Sequence, residues 1–226
     1  MSRILGNTAL PGDHRLLRVA QDDGATPAPG HWFRLTLDGT DIVLPVLDHS
    51  TTEGWLAFCA PPSAAALTRG APCPLAGPLG NALQPASGTR RLALVTDETG
   101  LPATVFAALR LDIHLVLAGL DSAAPAFRFR PSRFLVKAMA PGAIAGVGAL
   151  EDAGVPSRIA HADALPGCRD GTLPALVDDW LSGLSARERW DTAVAVLGEA
   201  ATVETVHQQL RGRVGEIHLH SRPEVE

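Results

Sequence analysis

The chain has 226 residues, 46% of them hydrophobic and 19% charged, which suits one large or two small compact domains and excludes wholesale disorder. A formal net charge of −5, with the one lysine, Lys137, set in an apolar run, leaves no basic field to hold a phosphate backbone, so nucleic acid is excluded as a partner. The three cysteines, Cys59, Cys73 and Cys168, are too few and too scattered for a zinc ribbon or a four-thiolate iron–sulfur cluster within one chain.

Apolar stretches all fall short of the roughly 20 residues that cross a bilayer, and the sequence opens without a charged-then-apolar leader pattern. A cytoplasmic protein with no membrane insertion is expected. From residue 12 to 84, short apolar runs are broken by turn chemistry and no helical period survives beyond two turns, which predicts a β region. Strands are expected over 14–20, 32–37, 41–47 and 54–59, with Asp38-Gly39 as the hairpin turn between the second and third. A small antiparallel barrel follows.

Pro85-Ala86-Ser87-Gly88-Thr89 reads as a linker, and beyond it apolar strands alternate with helices. Strands are expected over 92–96, 113–117, 134–137, 158–161, 193–197 and 216–220. Helices are expected over 102–110, with Pro102 in the first turn, over 142–153, stopped by Gly154 and Val155-Pro156, and over 202–211, with Thr202 as cap. The clearest helix starts after Thr172, because Leu173, Leu176, Val177, Trp180, Leu181 and Leu184 hold the i, i+3, i+4, i+7 spacing of a single buried face. Such alternation predicts a mostly parallel, Rossmann-like sheet covered on both faces. The expected architecture is thus β + α/β: an N-terminal antiparallel β-barrel over 1–88, then a Rossmann-like parallel α/β domain over 89–226.

That domain order, together with local motifs, resembles the ferredoxin reductase superfamily. Pro29-Gly30-His31-Trp32-Phe33 resembles the P-G-Q-F/W segment that opens a barrel strand there. Leu67-Thr68-Arg69-Gly70 followed by Gly77-Pro78-Leu79-Gly80-Asn81 resembles the L-x-x-G-D and G-P-L-G-N segments of the electron-transfer subunit of class B dihydroorotate dehydrogenase. Asp170-Gly171-Thr172, leading into the clear helix, is similar to the D-G-S-x-G-x-x-G loop of the same group. The resemblance implies FAD on the barrel, a pyridine nucleotide on the second domain, and electron transfer to a protein partner. It places Gly77, Pro78, Leu79, Gly80 and Asn81 near the flavin, and Gly100, Leu101 and Pro102 near the dinucleotide. Without those resemblances, Gly77 to Asn81 reads as an ordinary turn or domain junction.

Three departures stand beside it. Where the family's R-P-F/Y-S motif pairs an arginine with the flavin pyrophosphate, this chain has Leu44-Pro45-Val46-Leu47, and an aliphatic side chain makes no charge-assisted contact. His49 and Ser50 are a shifted alternative. Where the family has the glycine-rich turn G-G-G-x-G-x-A-P, this chain has Thr96-Asp97-Glu98-Thr99-Gly100-Leu101-Pro102, which puts two carboxylates in the path of an anion and disfavours NAD(P)H. The same carboxylates also read as helix-capping chemistry. The cluster cysteines are replaced by Glu216-Ile217-His218-Leu219-His220-Ser221, so no iron–sulfur cluster is expected.

His218 and His220 alternate on one strand face, as metal ligands or as plain polar surface. Cys168 lies shortly before a helix start, where a thiol pKa can fall, or it is a small apolar filler. His161 and Asp163 lie near it in sequence. Trp32, Trp55, Trp180 and Trp190 read as core or interface residues. Phosphate-loop, nucleophile-elbow and H-E-x-x-H signatures are absent. Two functions emerge: a flavin electron-transfer protein, or a docking or regulatory module that kept the fold after losing FAD and NAD binding. Either one implies a protein partner or a homo-oligomer.

Overall fold

The structure, a computed structural model, describes residues 2–21, 26–37, 39–86, 91–122, 124–137 and 139–224. Six antiparallel strands come first: β1 (Ile4–Ala9), β2 (Arg15–Ala20), β3 (Trp32–Leu37), β4 (Thr40–Ser50), β5 (Trp55–Ala60) and β6 (Leu75–Leu79), in the order β1-β2-β5-β4-β3-β6. The outer strand β1 and its flank meet the segment before β6 through backbone: the Ile4 amide donates to the Ala71 carbonyl at 3.0 Å, the Gly70 amide to the Ile4 carbonyl at 2.8 Å and the Cys73 amide to the Ser2 carbonyl at 3.0 Å. Those bonds set β1 beside the segment that leads into β6 and curl the sheet toward a barrel. Alternate residues point inward, so Leu17, Val19, Phe33, Leu35, Val46, Leu56 and Phe58 form its core.

The second sheet is all parallel, in the order β12-β11-β8-β7-β13-β14, built from β7 (Arg91–Thr96), β8 (Leu115–Leu120), β11 (Ser157–His161), β12 (Arg169–Asp170), β13 (Thr192–Gly198) and β14 (Glu216–Ser221). Every residue of β13 is buried, because helices cover both faces of the sheet. One face carries α1 (Leu101–Ala108) and α2 (Gly148–Asp152); the other carries α3 (Leu173–Ser182) and α5 (Ala200–Leu210). Two short strands, β9 (Phe129–Pro131) and β10 (Ala145–Val147), form a separate antiparallel pair, and α4 (Ala186–Trp190) precedes β13. The expected β + α/β architecture, a barrel followed by a Rossmann-like sheet, is the one observed.

Several local expectations are corrected. Residues 134–137 form no strand: they lie in a loop where Leu135 is 103% exposed, since three apolar residues in a row do not by themselves specify a ladder partner. Residues 142–153 divide into strand β10, which pairs with β9, and the short helix α2; Gly146 of β10 packs closely, as a Cβ there would stand 2.6 Å from Glu151 Oε1 and 3.0 Å from Ser157 Oγ. Helix α5 is capped by Glu199, so Thr202 lies inside it. Strands β1 and β6 were not expected, being interrupted by glycine, asparagine or proline. The Thr172 cap holds, with its hydroxyl accepting from the Ala175 amide at 3.4 Å. Asp38 of the expected hairpin turn, and residues 87–89 of the expected linker, lie outside the described residues.

Candidate functional site

In an open parallel sheet, ligands seat where consecutive helices leave on opposite faces, beyond the carboxyl ends of the strands. Here that point lies between β7 and β13, because β7 leads into α1 on one face and β13 into α5 on the other. A cleft of about 920 Å³ opens beside it, between the ends of these strands and strand β4 of the barrel. Its barrel wall includes His14, Asp41, Ile42, Val43, Leu44, Pro45 and Cys59; its other wall includes Glu98, Thr99, Pro102, Phe127, Glu199, Arg222 and Glu224.

The charge of this cleft is lopsided. Among the described residues, Asp41, Glu98, Glu199 and Glu224 share the cleft with His14 and one guanidinium, Arg222, which is committed to Glu199 at 3.1 Å. Glu199 Oε1 also accepts from the Thr99 hydroxyl at 2.9 Å. Burial raises the Glu98 carboxyl above its ordinary value, the Ser122 amide and nearby His14 oppose the shift, and Glu98 Oε1 is buried without a hydrogen-bond partner among the described residues. Burial, with Glu98 second, pushes the Cys59 thiol up to about 12, so no thiolate forms there near neutrality. A flavin dinucleotide carries a diphosphate, and this donor set offers it carboxylates where an arginine fork would be needed. Such a lining does not suit a diphosphate.

At the strand ends, the turn from β7 into α1 is held by Asp97. Its Oδ1 accepts from the Gly100 amide at 3.0 Å and its Oδ2 from the Glu199 amide at 2.7 Å, so one carboxylate joins the starts of two helices. Asp97 also borders a smaller cavity of about 290 Å³ with Gly119, Asp121, Gly171, Thr172 and Thr205, on the α3 and α5 side.

The residues singled out from sequence separate into two places. Pro102 lines the cleft, Gly100 donates to Asp97, and Leu101 is fully buried in the core. Gly77, Pro78 and Leu79 belong to β6, with Gly80 and Asn81 following; none of them lines the cleft. A Cβ on Gly77 would stand 2.6 Å from the Phe33 ring, and the Asn81 carbonyl lies 3.1 Å from His220 Nδ1 on β14. This segment therefore packs the barrel edge against the last strand of the parallel sheet. Thr172 and Gly171 line the smaller cavity. Asp41, Glu199, Arg222 and Glu224 carried no sequence signal, because only the fold brings their chain segments to one cleft.

The other candidates resolve as well. His218 Nε2 lies 2.9 Å from a Glu216 oxygen, and no group of three or more potential ligands is placed to hold a metal among the described residues. Burial raises the Cys168 thiol, whose side chain packs on the core, and α3 begins only at Leu173. His161 is fully buried, with the Asp163 amide donating to Nδ1 at 3.1 Å and Nε2 3.0 Å from the Ser122 carbonyl, so both ring nitrogens are satisfied. Trp32 and Trp180 are core, Trp55 lies under Arg18, and Trp190 is 63% exposed. No helix among the described residues is long and apolar enough to cross a membrane.

No family model matches this sequence, and no curated protein matches it. Solved structures do. An NADH-dependent reduced ferredoxin–NADP oxidoreductase superposes with a TM-score of 0.69 at 15% identity, covering 100% of this chain and 77% of that one. The ferredoxin reductase of carbazole 1,9a-dioxygenase gives 0.67 at 16%, covering 97% of this chain and 68% of that one. A ferredoxin NADP+ reductase from Neisseria gonorrhoeae with bound FAD and NADP gives 0.61 at 12%, covering 97% of both chains. The fold is that of the ferredoxin reductases. At these identities the likeness concerns architecture, and activity has to be argued from the site.

Proposed function

We propose that this chain is a docking or regulatory module that keeps the ferredoxin reductase fold and works by binding a protein partner or a second copy, with no flavin or nicotinamide dinucleotide in its cleft. The observation that carries this reading is the charge of the cleft: among the described residues, four carboxylates stand against His14 and one arginine that is already paired. Like charges within a few ångströms cost on the order of 1 kcal/mol in bulk water and several times more in a partly buried site. Apolar side chains left in solvent supply contact surface, among them Leu135, Ile144 and Trp190, at 103%, 51% and 63% exposed.

A second reading, an electron-transfer flavoprotein related to the dihydroorotate dehydrogenase subunit, is favoured by the volume of the cleft and by Leu44, Pro45, Pro102 and Phe127 in its walls, which suit a flat apolar ring. Bound flavin would supply the redox chemistry. One experiment separates the two. The purified protein is incubated with excess FAD or FMN, desalted, and its visible spectrum recorded. A colourless protein is expected; retained flavin bands would establish the second reading and make NADH oxidation the next assay.

A further inference from the structure

We infer that Asp97 is a built-in anion at the switch point of the parallel sheet, occupying with its own carboxylate the helix-start amides that a dinucleotide's pyrophosphate would take. The inference concerns the parallel sheet alone and stands whether or not the barrel holds a flavin. A pyrophosphate binds at such a point through free backbone amides at a helix N-terminus, helped by the partial positive charge there. Here the two helices are α1 and α5, of 8 and 11 residues, and the amides in question belong to Gly100 and Glu199. Both are already bonded, one to each oxygen of a single carboxylate.

The surroundings are shaped to that carboxylate. Residue 198 is a glycine with φ of +147°, and a Cβ on it would stand 2.3 Å from Asp97 Oδ1. Gly100 is equally constrained, since a Cβ there would meet the Leu197 carbonyl oxygen at 2.5 Å. Gly198, at the end of β13, thus leaves room for the Asp97 carboxylate, and Gly100, the N-cap of α1, lets that helix start close against the β13 backbone. A soluble anion arriving at the same place would find its donors satisfied and a full negative charge in front of them. Hydrogen bonds of this charge-assisted kind are roughly twice as strong as neutral ones, so the carboxylate is not readily displaced.

The test uses inorganic pyrophosphate as probe and the whole chain as protein. Backbone amide resonances of Gly100 and Glu199 in the native sequence are expected to stay in place as pyrophosphate is added. In Asp97→Ala the melting temperature is expected to fall and then to recover as pyrophosphate is raised, with affinity about tenfold or more above that of the native chain. Asp97→Asn, which keeps the shape and one acceptor, is the control if the alanine variant does not fold: it should bind pyrophosphate better than the native chain. Movement of the Gly100 and Glu199 resonances in the native protein would overturn the inference. So would equal pyrophosphate affinity in the native chain and both variants.

Discussion

His220 Nδ1 on β14 lies 3.1 Å from the carbonyl oxygen of Asn81, which ties the last strand of the parallel sheet to the segment that leaves the barrel. Gly30 completes this junction. Its φ is +91°, and a Cβ on it would stand 2.7 Å from both the Asn81 oxygen and His220 Nδ1. A side chain at residue 30 would therefore meet backbone strain and a collision together. Gly30→Ala is expected to lower unfolding stability by about 1–3 kcal/mol. Urea unfolding of the variant checks this, and a midpoint equal to that of the native chain would remove the junction from the account.

Acid should weaken the same region. Burial lowers the pKa of His31 and His220, and His31 Nδ1 accepts from the Ala28 amide at 3.1 Å, which needs the unprotonated ring. His220 also faces His218 and His31, and its Nε2 is buried with no hydrogen-bond partner among the described residues. These folded pKa values lie below the unfolded one, so the unfolded chain binds protons first as the pH falls. The contribution is fully present above about pH 6.5 and is lost as the pH drops through and below that value. His220→Asn, which cannot titrate, should show a shallower fall in urea midpoint between about pH 7 and pH 5.

Phe106 couples the two sheets. It belongs to α1 of the parallel sheet, yet it is 1% exposed within the barrel core, edge-on to His49 at 5.6 Å between ring centres and covered by Arg110 at 3.7 Å. Arg110 Nη2 in turn reaches Asp48 at 3.4 Å. Phe106→Ala is expected to cost about 3–5 kcal/mol. Because α1 packs Leu101, Ala103 and Ala107 on the parallel sheet while its Phe106 sits in the barrel core, intrinsic fluorescence and far-ultraviolet circular dichroism should report one common unfolding transition, and two separated transitions in the native chain would contradict the coupling.

The cysteines should be inert while the chain is folded. Burial holds Cys59 at about 12 and Cys73 at about 11, and raises Cys168 as well. A thiol-reactive dye at about pH 8, where a free thiol near 8.5 is partly ionised, should therefore label the folded protein slowly and all three sites after unfolding. Rapid labelling of Cys168 in the folded chain would restore its reading as a reactive thiol.

How far the sequence carries can be followed residue by residue. Buried strands announce themselves: the run Ala193 to Leu197 is uniformly apolar because helices cover both its faces, and the heptad-like spacing of Leu173, Leu176, Val177, Trp180 and Leu181 names the buried side of α3. Strand β6 was hidden because proline and glycine weaken any ladder signal, although here they sit on a strand that β3 pairs with and the Phe33 ring packs against. The turn after β7 was half legible. Asp97 and Glu98 can be recognised as hostile to an anion from their charge, but the bond from the Glu199 amide to Asp97 joins positions 102 apart in the chain. The remaining cleft acids, Asp41, Glu199 and Glu224, become one electrostatic feature only after the barrel and the parallel sheet meet.

The central claim is that a cleft of this size and place takes no dinucleotide, and calorimetric titration of the purified chain with FAD at low ionic strength tests it most directly. Low salt leaves the cleft charges unscreened. The account predicts no saturable heat at millimolar FAD, and partial gain of binding when Glu98→Gln and Glu199→Gln are combined. Saturable binding of one FAD per native chain would contradict it, and would make this an active flavoprotein whose diphosphate contacts differ from those of its structural neighbours.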